Sequence, residues 1–245
     1  GNARKYEDVT NQGKKAMKRA KNIEKRIEII IKKEEAKKPF IEKERKLSLH
    51  DSKLKNKIVL SVEKLSKIFE DNFILDDINF EVRNGDRLSI KGKNGSGKST
   101  LLKIITNNMT QSGGLFNWAP KVKIGYYAQE YENLDLNSTI LEEVIQGNIR
   151  EQTQARIILG CFNIEKDDVN RKISTLSIGE KSKTALAKII YSDSNVLVLD
   201  EPTNHLEISA REAFEDALMK FNGTVIFVSH DRYFSDKIEC CEMML

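Results

Sequence analysis

Residues 92–99 read Gly92-Lys93-Asn94-Gly95-Ser96-Gly97-Lys98-Ser99. They fill every fixed position of the pattern Gly-x-x-x-x-Gly-Lys-Ser/Thr. Gly92, Gly95 and Gly97 permit tight backbone turns, so successive N–H groups converge on phosphate oxygens. The run RLSIKG before the loop reads as a short strand, and STLLKIIT after it turns helical. Strand, loop, helix is the context the pattern requires. The helix adds its positive N-terminal end to the anion site. Lys98 supplies a point charge for the β- and γ-phosphates and Ser99 offers a hydroxyl to Mg²⁺, with Thr100 following in the helix. ATP and Mg²⁺ are the expected ligands.

Two further segments look like buried strands that deliver chemistry at their C-terminal ends. NVLVLDE is a continuous apolar run ended by Asp200 and Glu201. Asp200 is placed to hold Mg²⁺ through water, and Glu201 to polarise an attacking water as general base. TVIFVSH ends in His230, whose neutral imidazole is suited to bond the γ-phosphate or that water. Gln129, in YYAQE, carries an amide oxygen able to reach Mg²⁺ and the water. Each of these residues is weak evidence by itself. A lone histidine is more often structural, and an acidic pair more often a solvated turn; the loop upstream gives both their meaning. Earlier in the chain, IVLSVEKL and FILDDINFEV alternate as half-buried strands do.

Taken together, these segments resemble the nucleotide-binding domain of the ABC ATPases. GKNGSGKS resembles the Walker A loop, Gln129 the Q-loop glutamine, VLVLDE Walker B and His230 the switch histidine. Phe69 stands at the position of the aromatic residue that stacks on adenine. Residues 176–180, LSIGE, resemble the signature LSGGQ. The resemblance covers residues 58–245 and implies an α/β P-loop ATPase domain: a mostly parallel core sheet, an antiparallel β subdomain and a helical signature subdomain. It also implies that the signature completes the ATP pocket of a second ABC domain, so that two domains sandwich two nucleotides. Ser177 and Gly179, before the helical run EKSKTALAKIIYS, fit an anion site at a helix N-terminus. The chain departs from the signature at Ile178 and Glu180, and Glu207 stands where the D-loop usually has Asp.

EPTNHLE and SHDRYF resemble the ABC-F branch, whose members carry two ATPase domains in one chain, joined by a charged helical linker, and have no transmembrane domain. Members act on ribosomes, the linker reaching toward the tRNA and peptidyl-transferase region. KRAKNIEKRIEI and the short C-terminus resemble the group that protects ribosomes from antibiotics. The implied partners are a second ABC domain and ribosomal RNA, and the implied location is the cytoplasm.

Charge placement agrees with such a partner. The chain has 245 residues and a net charge of +4, but residues 1–57 hold 19 basic and 9 acidic residues while the rest hold 22 and 28. A basic arm precedes a mildly acidic globule, and such asymmetry points to an anionic partner, nucleic acid or a membrane surface. Within the arm, Ala16, Ala20, Ile23, Ile27 and Ile30 form a heptad seam that predicts a helix over residues 11–37, which Pro39 interrupts. The charge run also fits a merely solvated helix face. The segment 1–57 is read as part of an interdomain linker, and the missing initiator Met as the mark of a fragment or of a processed chain. No run of 18 apolar residues occurs. Three cysteines, two of them adjacent, are read as reduced thiols. The competing reading is the ATP-binding subunit of a membrane transporter, which needs no apolar span; EPTNHLE and the basic arm weigh against it. A module that binds ATP without hydrolysis is disfavoured by Glu201, His230 and Gln129.

Overall fold

The computed structural model describes residues 57–128, 134–146 and 152–245. The basic arm (apart from Lys57) and Gln129 lie outside these residues. Two long strands come first, β1 (Ile58–Phe69) and β2 (Asn72–Arg83), paired antiparallel, with β4 (Gly113–Trp118) on the other side of β1. The alternation of IVLSVEKL puts Val59, Val62 and Leu65 inward, as a period of two demands of a half-buried sheet. The register slips at several points along β1, which bends this sheet over the core.

The second sheet has the order β5 (Ile124–Tyr127), β6 (Val196–Asp200), β7 (Thr224–Val228), β3 (Arg87–Lys91), β8 (Cys241–Met244), and all its pairings are parallel. Every residue of β6 and β7 is buried. Their continuous apolar runs follow from having both faces covered. Val196, Val198, Ile226 and Val228 face one core with Leu101, Leu102, Ile104 and Ile105 of α1 (Lys98–Ile105) and with the antiparallel sheet. Leu197, Leu199, Val225 and Phe227 face the other, among the remaining helices. Phe227 meets Phe234 edge-on at 5.3 Å. Trp118 ties β4 to α1 by donating to the Ile105 carbonyl at 2.7 Å.

The second core is covered by α2 (Ile140–Ile145), α3 (Gln152–Cys161), α4 (Ile178–Tyr191), α5 (Ile208–Lys220) and α6 (Arg232–Ile238). Among them Lys188 of α4 reaches the buried Glu143 of α2 at 2.6 Å. The three cysteines are free thiols, and burial pushes the Cys240 thiol up. Among the described residues, no helix is long and apolar enough to cross a membrane.

Candidate active site

Walking from β3 into the loop, Gly92, Gly95 and Gly97 have φ of 158°, 82° and 92°. The last two lie in the left-handed region that favours glycine. Gly97 has no room either: a Cβ there would sit 2.8 Å from Leu75 Cδ2 and 2.9 Å from the Ile74 carbonyl oxygen. Lys93, Asn94 and Gly95 are exposed, whereas Lys98 is buried. Its ammonium donates to the carbonyls of Gly92 at 3.0 Å and Lys93 at 2.9 Å. That leaves one of its three protons for a phosphate oxygen. The Ser96 hydroxyl is buried and has no hydrogen-bond partner among the described residues. Gly97 precedes α1 without a side-chain cap, and no acidic residue stands in the helix's first turn. The free N–H groups there keep their positive end for an anion.

Next to the loop, β6 delivers Asp200, which is 2% exposed. Burial raises its carboxyl pKa above the usual range; the Ser99 hydroxyl, which donates to it, and Lys103 and Lys98 oppose that rise. Asp200 Oδ1 finds no hydrogen-bond partner among the described residues. A desolvated carboxylate with a spare oxygen beside a serine hydroxyl is an all-oxygen donor set that fits Mg²⁺, which takes one or two protein ligands and fills the rest with phosphate and water. Among the described residues, no group of three or more His, Cys, Asp or Glu side chains is arranged to hold a metal ion by itself.

At Glu201 the chain leaves the sheet with φ 51°, a conformation that costs a non-glycine residue about 1–3 kcal/mol and that concentrates at functional sites. Its backbone N–H bonds the Val228 carbonyl at 2.9 Å. The same turn presents its buried carboxylate to the end of β7: Oε2 accepts the His230 backbone N–H at 3.2 Å, and His230 Nε2 lies 3.5 Å from Oε1. Oε1 has no hydrogen bond among the described residues, and the His230 side chain is 62% exposed. Loop, Asp200, Glu201 and His230 are thus brought together from three adjacent strands, β3, β6 and β7. Phe69 ends β1 with 43% of its surface exposed, and the Lys67 ammonium stands 4.8 Å from its ring centre.

The signature segment opens a helix, and a Cβ on Gly179 would sit 3.2 Å from the His205 carbonyl oxygen. Helix α4 starts at Ile178, two residues before the run that marked it in the sequence, so Gly179 lies inside the helix and Ser177 is its N-cap. Glu180 closes a capping box: its Oε2 accepts from the Ser177 N–H and hydroxyl, both at 2.8 Å. Arg171 holds the other carboxylate oxygen at 2.6 Å. The Ser177 backbone N–H, then its hydroxyl and Arg171, keep the Glu180 carboxyl below the usual range. The departure from Gln is thereby explained, since either residue closes the box and Arg171 neutralises the extra charge. Ile178 stands 57% exposed at the same helix end.

Sequence reading singled out Glu207 but missed its partner and a second set of charged residues. Lys183 on α4 reaches Glu207 at 2.8 Å, and Arg211 on α5 reaches Asp231 at 2.5 Å and Glu215 at 2.8 Å. Asp231 alone left a local signal, an acidic residue directly before a helix, where it caps the Phe234 N–H.

A family model described as ABC transporter matches residues 75–204. Among curated proteins, "ABC transporter F family member 2" of Arabidopsis thaliana is 37% identical over 90% of this chain and 33% of its own length. "Energy-dependent translational throttle protein EttA" of Escherichia coli is 36% identical over 74% of this chain and 33% of its own. The chain spans about a third of the length of these relatives. The dimeric post-hydrolysis structure of the ATP-binding cassette MJ0796 bound to ADP and Pi superposes with a TM-score of 0.64 at 24% identity, over 73% of this chain and 90% of that one, a likeness of fold. With strand order, phosphate loop and family match in agreement, and with similarity to F-branch members over a third of their length, the chain belongs to the ABC ATPase family.

Proposed function

We propose that residues 58–245 form an ATPase domain that binds MgATP on the 92–99 loop and hydrolyses it when a second ABC domain closes over it. We propose also that the full-length protein runs this cycle on the ribosome, in translation regulation or protection from antibiotics. The observation that carries the reading is the Asp200–Glu201 pair, which β6 sets beside Ser99 and against His230.

In this reading the loop amides and the remaining Lys98 proton hold the β- and γ-phosphates. Mg²⁺, when bound, would neutralise phosphate charge; Ser99, Asp200 and Gln129 are the residues that would hold it. Phe69 stacks on the base. Glu201 Oε1 takes a proton from water as the water oxygen bonds to the γ-phosphorus and the bond to the ADP oxygen breaks. His230 fixes that carboxylate from the side. Ser177, with Ile178, Gly179 and Glu180, presents the N-terminus of α4 to the partner domain's ATP. Loss of the γ-phosphate removes contacts that favour the closed pair.

The basic arm, net +10 over residues 1–57, supports rRNA as its contact, through counterion release and backbone shape. The name of the E. coli relative, a translational throttle, supports a translational role, for which we propose the cytoplasm as the place. The competing transporter subunit has the family model's description in its favour. The test is ribosome co-sedimentation of the full-length protein with Glu201 and its counterpart in the other domain changed to Gln. Pelleting that requires ATP and weakens with salt supports the proposal. No pelleting at low salt overturns the ribosomal part.

A further inference from the structure

Lys67 and Phe69 lie two residues apart on β1 and so share a face of the strand. The Lys67 ammonium stands 4.8 Å from the centre of the Phe69 ring, within the range at which a cation is drawn to an aromatic face. The same ammonium donates to the Thr110 carbonyl at 2.8 Å. Thr110 belongs to the segment between α1 and β4, which is tied to β1 twice more. The Ser112 N–H bonds the Ser66 carbonyl at 2.8 Å, and the Ser112 hydroxyl accepts the Ile68 N–H at 3.0 Å. Lys67 therefore sits between the ring and the chain that continues from the phosphate-loop helix. Across the sheet its Cα partner is Leu75, and Leu75 Cδ2 lies 2.8 Å from where a Cβ on Gly97 would be. The end of the β1–β2 hairpin and the loop that takes the phosphates are thus in contact.

From this arrangement we infer that Lys67 is a positioning residue for nucleotide binding: it occupies one face of the Phe69 ring, fixes the ring's angle, and leaves the other face for the base. The inference rests on the proposed reading in which Phe69 stacks on the base. Phe69 is 43% exposed, and a ring so open is otherwise free to turn among rotamers. The Thr110 carbonyl holds the ammonium in place, and the ammonium holds the ring. A cation on one face also draws π-electron density toward itself. The opposite face becomes less negative, which eases its stacking on the electron-rich face of a purine. The contact is made to the ring and not to a base edge, so it strengthens adenine and guanine nucleotides alike. Triphosphate binding on the 92–99 loop does not draw on it.

The test is titration calorimetry of the full-length protein, with the phosphate-loop lysine of the other domain changed to Ala so that one site reports. The probes are MgATP, MgGTP and magnesium tripolyphosphate, which has no base. K67M should weaken ATP and GTP by about fivefold each and leave tripolyphosphate within about twofold of the parent. F69A should weaken ATP by about tenfold, and K67M/F69A should be no weaker than F69A. K67R should return ATP to within about twofold of the parent, since a guanidinium also stacks on an aromatic face. Parent-like ATP affinity in K67M overturns the inference. So does tripolyphosphate affinity that falls as far as ATP affinity, or a K67M factor that persists in full on top of F69A. Should K67M fail to fold, K67Q, which keeps a donor for Thr110 but no charge, decides by the same criteria. F69A with the parent's ATP affinity sinks the base-stacking reading and the inference with it. F69A that weakens ATP beside a K67M that does not overturns the inference alone.

Discussion

Gly97→Ala separates two effects of one atom. The residue sits at φ 92°, and the added Cβ would lie 2.8 Å from Leu75 Cδ2, 2.9 Å from the Ile74 carbonyl oxygen and 3.0 Å from Ile74 Cγ2. The left-handed backbone costs an alanine about 1–2 kcal/mol, and overlap with a packed strand adds about 1–3 kcal/mol. The expected loss is about 3 kcal/mol, which for a domain of this size lowers Tm by about 6–12 °C. Gly95 is the internal control. It has φ 82° but nothing within 4 Å of its Cβ, so Gly95→Ala carries the backbone cost alone, about 1 kcal/mol or 2–4 °C. Thermal melts of the nucleotide-free protein read both. Where the loop relaxes away from β2 instead, its amides leave the phosphates, and the energy appears as weaker ATP binding, tenfold per 1.4 kcal/mol. A Gly97→Ala protein with Tm within 2 °C and ATP affinity within about twofold of the parent would refute the packing argument.

Three further outcomes follow from the geometry of the domain. Burial raises the Asp200 pKa, so its folded form holds a proton better than the unfolded chain, and stability declines as pH rises through the folded value; Asp200→Asn removes this decline and raises Tm above that pH, while the dependence of ATP affinity on Mg²⁺ weakens. A variant no more stable at pH 8 in the absence of nucleotide contradicts this. Glu215 is 1% exposed and held by Arg211 and Lys237 at 2.8 and 2.9 Å. Both partners are partly solvated, so Glu215→Ala should cost about 2–3 kcal/mol, below the full penalty of a buried pair, seen as a shifted denaturation midpoint with unchanged slope. Ser177→Ala removes the N-cap of α4 and should cost about 1 kcal/mol, and a stability equal to the parent's would deny the capping box its role.

The parts of the fold that were legible are those fixed by one local rule. β6 and β7 declared themselves because strands covered on both faces need apolar residues at every position. The 92–99 loop declared itself because only glycine accepts φ 82° and 92° at Gly95 and Gly97. The start of α4 was misplaced by two residues, since Ile178 and Gly179 are weaker helix formers; the Ser177-x-x-Glu180 box was the signal that overrides them. β8 offered little, being four residues that are mostly exposed and that join the sheet only because β3 presents a free edge. The Lys183–Glu207 and Arg211–Asp231 pairs were invisible because their partners meet only through tertiary packing. Asp200 and Glu201 were legible as a pair with an expected division of labour, metal against general base. The turn at Glu201, which leaves one carboxylate by Ser99 and sends the other toward His230, was not.

That division is tested most directly by measuring ATP binding and turnover of Glu201→Gln side by side in the full-length protein, with the other domain's counterpart also changed. The account predicts ATP affinity within about threefold of the parent and turnover reduced by at least about a hundredfold. Loss of ATP binding, or turnover that persists at the parent rate, would contradict it.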